Sequence, residues 1–257
     1  KVKQIFITTH STHITSSASL DDIICLYKQK GRTRVSYPGQ VFYNIDGDGR
    51  ISARTESKKY VQRFLDATKS NMLFSEKIIL VEGIAEHLLI PVFADYLNKP
   101  LDDYHITVIN IGGRYFEHFL YLFDGNKEKT IKRKVACITD LDPTRTEKYI
   151  ANAKSRKCYP FEINADTTKY DYKFNSLMDK YKKGQHPNIC SFTQDNTYGK
   201  TLEYQIAFDN NENFILITPS LQNATELRTM MTLARKNKSL DELLDTLRDS
   251  EENNRIR

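Results

Sequence analysis

The chain has 257 residues, and 38 Lys+Arg against 33 Asp+Glu give a formal net charge of +5. With 39% hydrophobic and 28% charged residues it reads as a globular protein, neither disordered nor membrane-embedded, and no apolar run approaches the ~20 residues of a transmembrane helix. The mild positive excess permits a polyanionic partner without demanding one, since blocks of charge decide more than their sum. Cys25, Cys137, Cys158 and Cys190 are widely spaced, with no CxxC pair. That argues against a zinc knuckle or a disulfide framework and fits a reducing cytoplasm. The chain begins at Lys1 without Met and ends in a charged stretch from Asp249 to Arg257. It is read as a piece of a longer protein.

β-rich runs at Gln4–Thr8, Ile23–Tyr27 and Gln40–Ile45 lead to a helix over Ser57–Lys69, set by Tyr60, Val61, Phe64 and Leu65 at helical spacing. From Lys77 the pattern becomes regular. Ile78–Val81 is a continuous apolar strand, Ala85–Leu97 a helix, Ile106–Ile111 a strand and Tyr115–Phe123 a helix. Val135–Thr139 is a strand, Thr146–Lys157 a helix and Tyr159–Ile163 a strand. Continuous apolar strands alternating with helices predict an α/β fold, a parallel sheet with helices on both faces. Lys200–Phe208, Ser220–Lys236 and Leu240–Asp249 read as helices, the last two forming a C-terminal helical segment.

In open parallel sheets, ligands sit beyond the carboxyl ends of the strands. After the first regular strand stand Glu82 and, four residues on, Glu86, with Gly83 permitting a tight turn into the helix. After the second comes Gly112-Gly113. After the third come Asp140 and Asp142, two residues apart and so on one side of an extended chain. If the first and third strands are neighbours, four carboxylates converge, and a hard divalent cation relieves their repulsion. Oxygen-only ligands suit Mg²⁺ or Mn²⁺, and two such ions hydrolyse phosphodiesters. Taken singly, Asp142 before Pro143 also reads as a helix N-cap, and Glu82 and Glu86 as an ordinary helix start.

Leu80-Val81-Glu82-Gly83 followed by Glu86, then Ile138-Thr139-Asp140-Leu141-Asp142, resembles a Toprim domain, the fold of topoisomerases, primases and nucleases. Asn71–Phe74, Ile109–Gly113 and Lys200-Thr201-Leu202-Glu203 narrow the resemblance to the OLD (overcoming lysogenization defect) family. Those proteins join an ABC-type ATPase to a C-terminal Toprim nuclease. Phe6–Ile14 resembles the switch-histidine segment that closes such an ATPase core, with His10 as the nucleotide-sensing residue.

The resemblance implies a Toprim-like Rossmannoid sheet. It implies residues 1–70 as the tail of the ATPase domain, 71–219 as the Toprim catalytic domain and 220–257 as the helical end. It implies Glu82, Glu86, Asp140 and Asp142 as ligands of two Mg²⁺ or Mn²⁺ ions, with Glu203 as a fifth. It implies Glu82 and Asp140 as the catalytic pair, with Glu82 as ligand or as general base. Glu203 equally reads as an exposed acid on an amphipathic helix. No GxxxxGK[ST] occurs, so ATP belongs to the parent protein and not to this fragment's chemistry. The family's C-terminal lysine has Lys200, Lys236 and Lys238 as positional candidates. The family also implies a DNA substrate, a homo-oligomer through the ATPase region, a helicase partner in anti-phage systems, and no membrane.

Two basic stretches are candidates for DNA phosphates. Lys127–Lys134, with Lys132, Arg133 and Lys134, precedes the acidic strand, and Asp166–Lys183 interleaves Lys169 and Lys173 with Tyr170 and Tyr172. Lys200 is a further DNA-contact candidate. Lys127–Lys134 reads equally as solvated surface, and Asp166–Lys183 reads more readily as a solvated helix and loop. Asn44–Ile51 resembles half an EF-hand loop, but its twelfth position is Thr55, and Asp-Gly pairs between apolar residues predict a β-hairpin turn. The function read from the sequence is a metal-dependent DNA endonuclease module. Its alternatives are a primase- or topoisomerase-like Toprim enzyme and an ATP-gated DNA-tethering module without cleavage.

Overall fold

A computed structural model describes residues 3–45, 51–164, 166–195, 199–210, 217–220 and 224–236. In chain order the elements are α1 (Thr12–Ser17), β1 (Cys25–Gln29), β2 (Arg32–Ser36), β3 (Tyr43–Ile45), β4 (Ile51–Ala53), α2 (Thr55–Phe64), β5 (Lys77–Val81), α3 (Ile84–Tyr96), β6 (Ile106–Asn110) and α4 (Phe116–Leu120). There follow β7 (Lys134–Ile138), β8 (Thr144–Glu147), β9 (Arg156–Lys157), β10 (Tyr170–Lys173), α5 (Ser176–Lys180), β11 (Ile189–Phe192), α6 (Leu202–Asp209) and α7 (Ala224–Arg235). They fall into two compact units. The first is Lys1–Thr139 with Ser176–Phe192, and the second is Asp140–Asn175 with Thr193–Arg257.

The first unit is built on a four-stranded parallel sheet in the order β11-β7-β5-β6. β5 is interior, which is why its sequence, Lys-Ile-Ile-Leu-Val, is apolar without alternation. A parallel neighbour cannot follow through a tight turn, and α3 supplies the crossover from β5 to β6. The core gathers Ile78 and Leu80 of β5, Val135 and Cys137 of β7, Ile109 of β6 and Ile189 of β11 with Phe116, Phe119, Leu120 and Phe123. Phe119 is fully buried, and truncating such a side chain costs about 3–5 kcal/mol. In the same unit β1 and β2 form an antiparallel hairpin closed by Lys30-Gly31, both at positive φ (49° and 74°). That is the two-residue turn whose twist matches paired strands.

The second unit holds a three-stranded antiparallel sheet in the order β10-β8-β9, together with α6 and α7.

Several expectations change. Gln4–Thr8 joins no strand pair among the described residues, and Ile5, Phe6 and Ile7 are exposed. Thr146–Lys157 is not a helix. The β-branched Thr144 and Thr146 alternate along β8, and Asn152 at φ 62° interrupts any right-handed helix that would follow. Tyr159–Ile163 is a 3₁₀ turn rather than a strand, opened by Pro160 and closed by the Glu162 carboxylate accepting the Tyr159 N–H at 2.8 Å. β3 and β4 pair antiparallel on either side of Asp46–Arg50, as the hairpin reading expects, while the turn itself lies outside the described residues. So do Lys238 and the helix expected over Leu240–Asp249.

Candidate active site at the strand ends

β6 lies on one side of β5 and β7 on the other, so the strand order reverses between β5 and β7. In such sheets the ligand crevice opens at that switch point, beyond the carboxyl ends of the strands. The register sets Val81 opposite Ile138. One residue further on each strand, the Thr139 hydroxyl donates a hydrogen bond to the Glu82 carboxylate. Thr139 is buried, and its own N–H donates to the Phe192 carbonyl at 3.1 Å, so the donor is fixed from the edge strand β11.

Glu86 stands in the first turn of α3, where the exposed N–H groups favour a carboxylate. Its Oε2 accepts the Gly83 N–H at 3.0 Å, and the side chain is buried. The Gly112-Gly113 pair passes through φ 74° and 133°, a path disfavoured for residues with a Cβ. The turn lets the Gly113 N–H donate to the Glu82 carbonyl at 2.7 Å, which ties the end of β6 to the end of β5.

In the second unit, Asp140 is held from three directions. Its Oδ1 accepts from Gln194 Nε2 at 2.9 Å and from the Leu202 N–H at 2.9 Å, and its carbonyl accepts from Asn175 Nδ2 at 2.9 Å. Leu202 opens α6, so the carboxylate also faces the positive end of that helix. Asp142 differs from expectation. It sits at φ 43°, so the chain from Asp140 is not extended and the same-side argument fails. It caps no helix either, because β8 begins at Thr144. Its buried carboxylate accepts from Lys157 Nζ at 2.9 Å, and its N–H donates to the Lys200 carbonyl at 3.0 Å.

Glu203 lies exposed in the first turn of α6. His10 is exposed, with its ring centroid 6.0 Å from that of Phe74.

The basic candidates are placed differently from the acids. Lys134 is the first residue of β7, paired with Lys77, and Lys132 and Arg133 precede it. They occupy the amino edge of the sheet, whereas Glu82 lies at its carboxyl edge. At about 3.3 Å per residue the two are separated by roughly 16 Å along the strands. Lys132 donates its N–H to Tyr27 Oη at 3.3 Å, and the Arg133 guanidinium lies 5.3 Å from the Tyr27 ring centroid. The patch thus lies at the opposite edge of the sheet from Glu82. Lys200 is buried, not presented to a phosphate. Its Nζ lies 3.3 Å from the centroid of the Tyr159 ring. Burial first, and then the charge of Lys157, push its pKa down to about 8 against the pull of Glu162 and Asp142.

The residues that sequence reasoning missed are the holders: Thr139, Asn175, Gln194 and Lys157. Thr139 stands inside the Ile138–Asp142 motif but has no role assigned from sequence, and Asn175, Gln194 and Lys157 carry no motif signal, because neutral donors and a lone lysine are recognisable only by what they touch.

The four strand-end acids offer carboxylate oxygens alone, the donor chemistry of a hard divalent cation. Among the described residues no group of three or more His, Cys, Asp or Glu side chains is gathered so as to hold a metal ion. No helix among them is long and apolar enough to cross a membrane.

Residues 73–142 match the family described as "Overcoming lysogenization defect protein-like, TOPRIM domain". The chain is 27% identical over 220 residues to "Endonuclease GajA" of Bacillus cereus (strain HuB5-5), a match covering 83% of this chain. It spans only 31% of the length of that relative. Among solved structures it is similar to the C-terminal region of the Burkholderia pseudomallei OLD protein, at 19% identity and TM-score 0.38, covering 70% of this chain and 84% of that one. It is also similar to the C-terminal region of the Xanthomonas campestris pv. campestris OLD protein, at 21% identity and TM-score 0.38, covering 71% and 81%. The matched segment runs from just before β5 to Asp142 and so contains Glu82, Glu86, Asp140 and Asp142, which makes this stretch similar to an OLD-like Toprim domain.

Proposed function

We propose that this chain is the nuclease region of a larger ATPase-coupled protein and that it cuts DNA by metal-dependent phosphodiester hydrolysis. The observation that carries the reading is the coincidence of the Toprim match with the four acids. The matched segment ends on Asp142, and all four acids lie at or just beyond the carboxyl ends of its strands. The similarity to an endonuclease supports DNA as the substrate.

Glu82, Glu86, Asp140 and Asp142 are the residues that would hold Mg²⁺ or Mn²⁺, with Glu203 joining from α6. Bound there, a pair of such ions supplies a water nucleophile at neutral pH and charge stabilisation at the departing 3′ oxygen. The chain's own part is positional. Thr139 fixes the Glu82 carboxylate, Gln194 and the α6 amino end fix Asp140, and Lys157 balances the charge of Asp142. The same reading makes residues 1–70 the end of an ABC-type ATPase domain with His10 sensing bound nucleotide, 71–219 the catalytic domain and 220–257 a helical end. It extends to a homo-oligomer formed through the ATPase region, a helicase partner and a role in anti-phage defence.

Conversion of supercoiled plasmid to nicked and linear forms tests it. Cutting is expected with Mg²⁺ or Mn²⁺, none with EDTA, and none from Asp140→Asn at unchanged fold. Cutting by Asp140→Asn at the wild-type rate would sink the assignment. DNA binding without cutting at any metal or nucleotide concentration would favour a tethering module.

A further inference from the structure

The small antiparallel sheet of the second unit touches the acids named above only through Lys157 at the end of β9, yet β8, β9 and the loop between them are strongly basic. From Thr144 to Lys157 there are five Lys or Arg residues against one acid, Glu147. The loop joining β8 to β9 raises Tyr149 and Ile150 into solvent, 85% and 57% exposed. Large apolar groups standing out at a loop tip between cations have no packing explanation.

Beside the loop lies a cleft of about 290 Å³ lined by Arg145, Ile150, Lys154, Arg156 and Tyr170, with Glu147 as its one acid. Its aromatic wall is held rigidly. The Arg145 guanidinium lies 4.8 Å from the Tyr170 ring centroid and is anchored by Glu162 at 3.2 Å, while Lys169 Nζ lies 5.1 Å from the same centroid. Lys148 is drawn toward β10, 2.6 Å from the Thr167 carbonyl and 3.5 Å from Asp171. Lys154 and Arg156 remain exposed at the mouth. The cleft is at the small end of ligand pockets, too small for a large cofactor and suited to one flat ring.

We propose that the β8–β9 loop and this cleft grip DNA at a point where a base is unstacked. Lys154 and Arg156 contact the flanking phosphates, and Tyr149 with Ile150 forms a wedge that stacks on or replaces the displaced base. Charge complementarity selects a polyanion, and the aromatic wedge beside a ring-sized cleft selects one with bases. The assignment takes its ligand class from the nuclease reading, and the residues it uses, Tyr149, Ile150, Lys154 and Arg156, are none of those given a part at the acids.

Binding is measured by fluorescence anisotropy in EDTA, where no cutting occurs, on a labelled duplex either intact or carrying a single-nucleotide gap. The double variant Lys154→Ala, Arg156→Ala is expected to weaken both probes about tenfold at low salt and to flatten the log–log salt dependence by about 1–2. Tyr149→Ala is expected to weaken the gapped duplex about fivefold or more while leaving the intact duplex within about twofold. Tyr149→Phe should bind as wild type, and circular dichroism checks that each variant is folded. Both effects are required, and absence of either from a folded variant overturns the grip. A chain that binds this way but never cuts with Mg²⁺ or Mn²⁺ retires the nuclease reading and leaves the grip standing. A cutter whose binding ignores both variants does the reverse.

Discussion

Gln194 holds Asp140 and its neighbour with the two ends of one amide: Nε2 donates to the Asp140 carboxylate at 2.9 Å, and Oε1 accepts the Leu141 N–H at 2.8 Å. The two bonds fix the orientation of the Gln194 amide, and through it the position of the carboxylate oxygen Oδ1. The Leu202 N–H completes the arrangement from α6. A carboxylate that must orient a cation or a water benefits from such outer support, because a misaimed ligand loses affinity before it loses charge.

Gln194→Ala is therefore expected to lower plasmid nicking about 10- to 100-fold, the range seen when outer-shell partners of metal ligands are removed. Its stability cost should be about 1–3 kcal/mol, from the lost bonds to a carboxylate and a backbone amide. Gln194→Glu should be worse for cutting, since it places a second carboxylate against Asp140. Nicking rates and chemical denaturation measured together check both expectations. Wild-type rates from Gln194→Ala would end the positioning role.

Thr139 plays the corresponding part for Glu82. Thr139→Val keeps the shape of a buried side chain and removes only the hydroxyl donor. Cutting should fall about tenfold with a stability change of about 1 kcal/mol, and Thr139→Ser should restore most of the rate. The metal dependence has a readout that needs no DNA. Mn²⁺ at a hundred times its dissociation constant should stabilise the wild type by about 2.7 kcal/mol. Glu82→Gln and Asp140→Asn should lose that thermal shift. A shift retained in both variants would place the ion elsewhere.

The sheet was legible because β5 is buried on both faces: Ile78 to Val81 reads as a run that only an interior parallel strand needs. The strand-end acids were legible for a related reason, since the strand that precedes each fixes where it must stand. β11 was missed because Ile189-Cys190-Ser191-Phe192 is an edge strand with mixed character and no apolar run. β8 is not legible because Thr-Arg-Thr-Glu, for all its alternating threonines, has no apolar face, and its pairing with β9 and β10 is a tertiary fact. Lys200 reads as a phosphate contact because a sequence displays charge and conceals burial. The bend at Asp142 left no trace, since a positive φ at an aspartate is stabilised by tertiary partners rather than by the residue type.

That bend makes its own prediction. Asp142 is a non-glycine residue at φ 43°, a conformation that Asn tolerates as well as Asp and that a β-branched residue does not. Asp142→Asn should keep the fold, with a melting temperature near wild type, while cutting is lost with the charge. Asp142→Val should unfold more readily by about 1–3 kcal/mol. Equal stability of the two variants would mean that the backbone there relaxes without cost.

Lys200 sets a pH dependence whose sign is fixed by the direction of its shift. Burial and the nearby Lys157 lower its pKa from 10.5 to about 8, so its protonated form is disfavoured in the folded state. Below about pH 8 the lysine is charged whether the chain is folded or not, and the whole penalty is present. Between about pH 8 and 10.5 the unfolded chain binds the proton that the folded chain has released, so the unfolding free energy gains from each rise in pH. Lys200→Met removes the charge while keeping an unbranched chain against the Tyr159 ring. It should melt higher than the wild type at pH 7, and the gap should close as the pH approaches 10. A gap that is constant across that range would mean that Lys200 is not strained by its charge. A lower melting temperature for Lys200→Met at pH 7 would mean that the contact with Tyr159, 3.3 Å from the ammonium, outweighs the burial penalty.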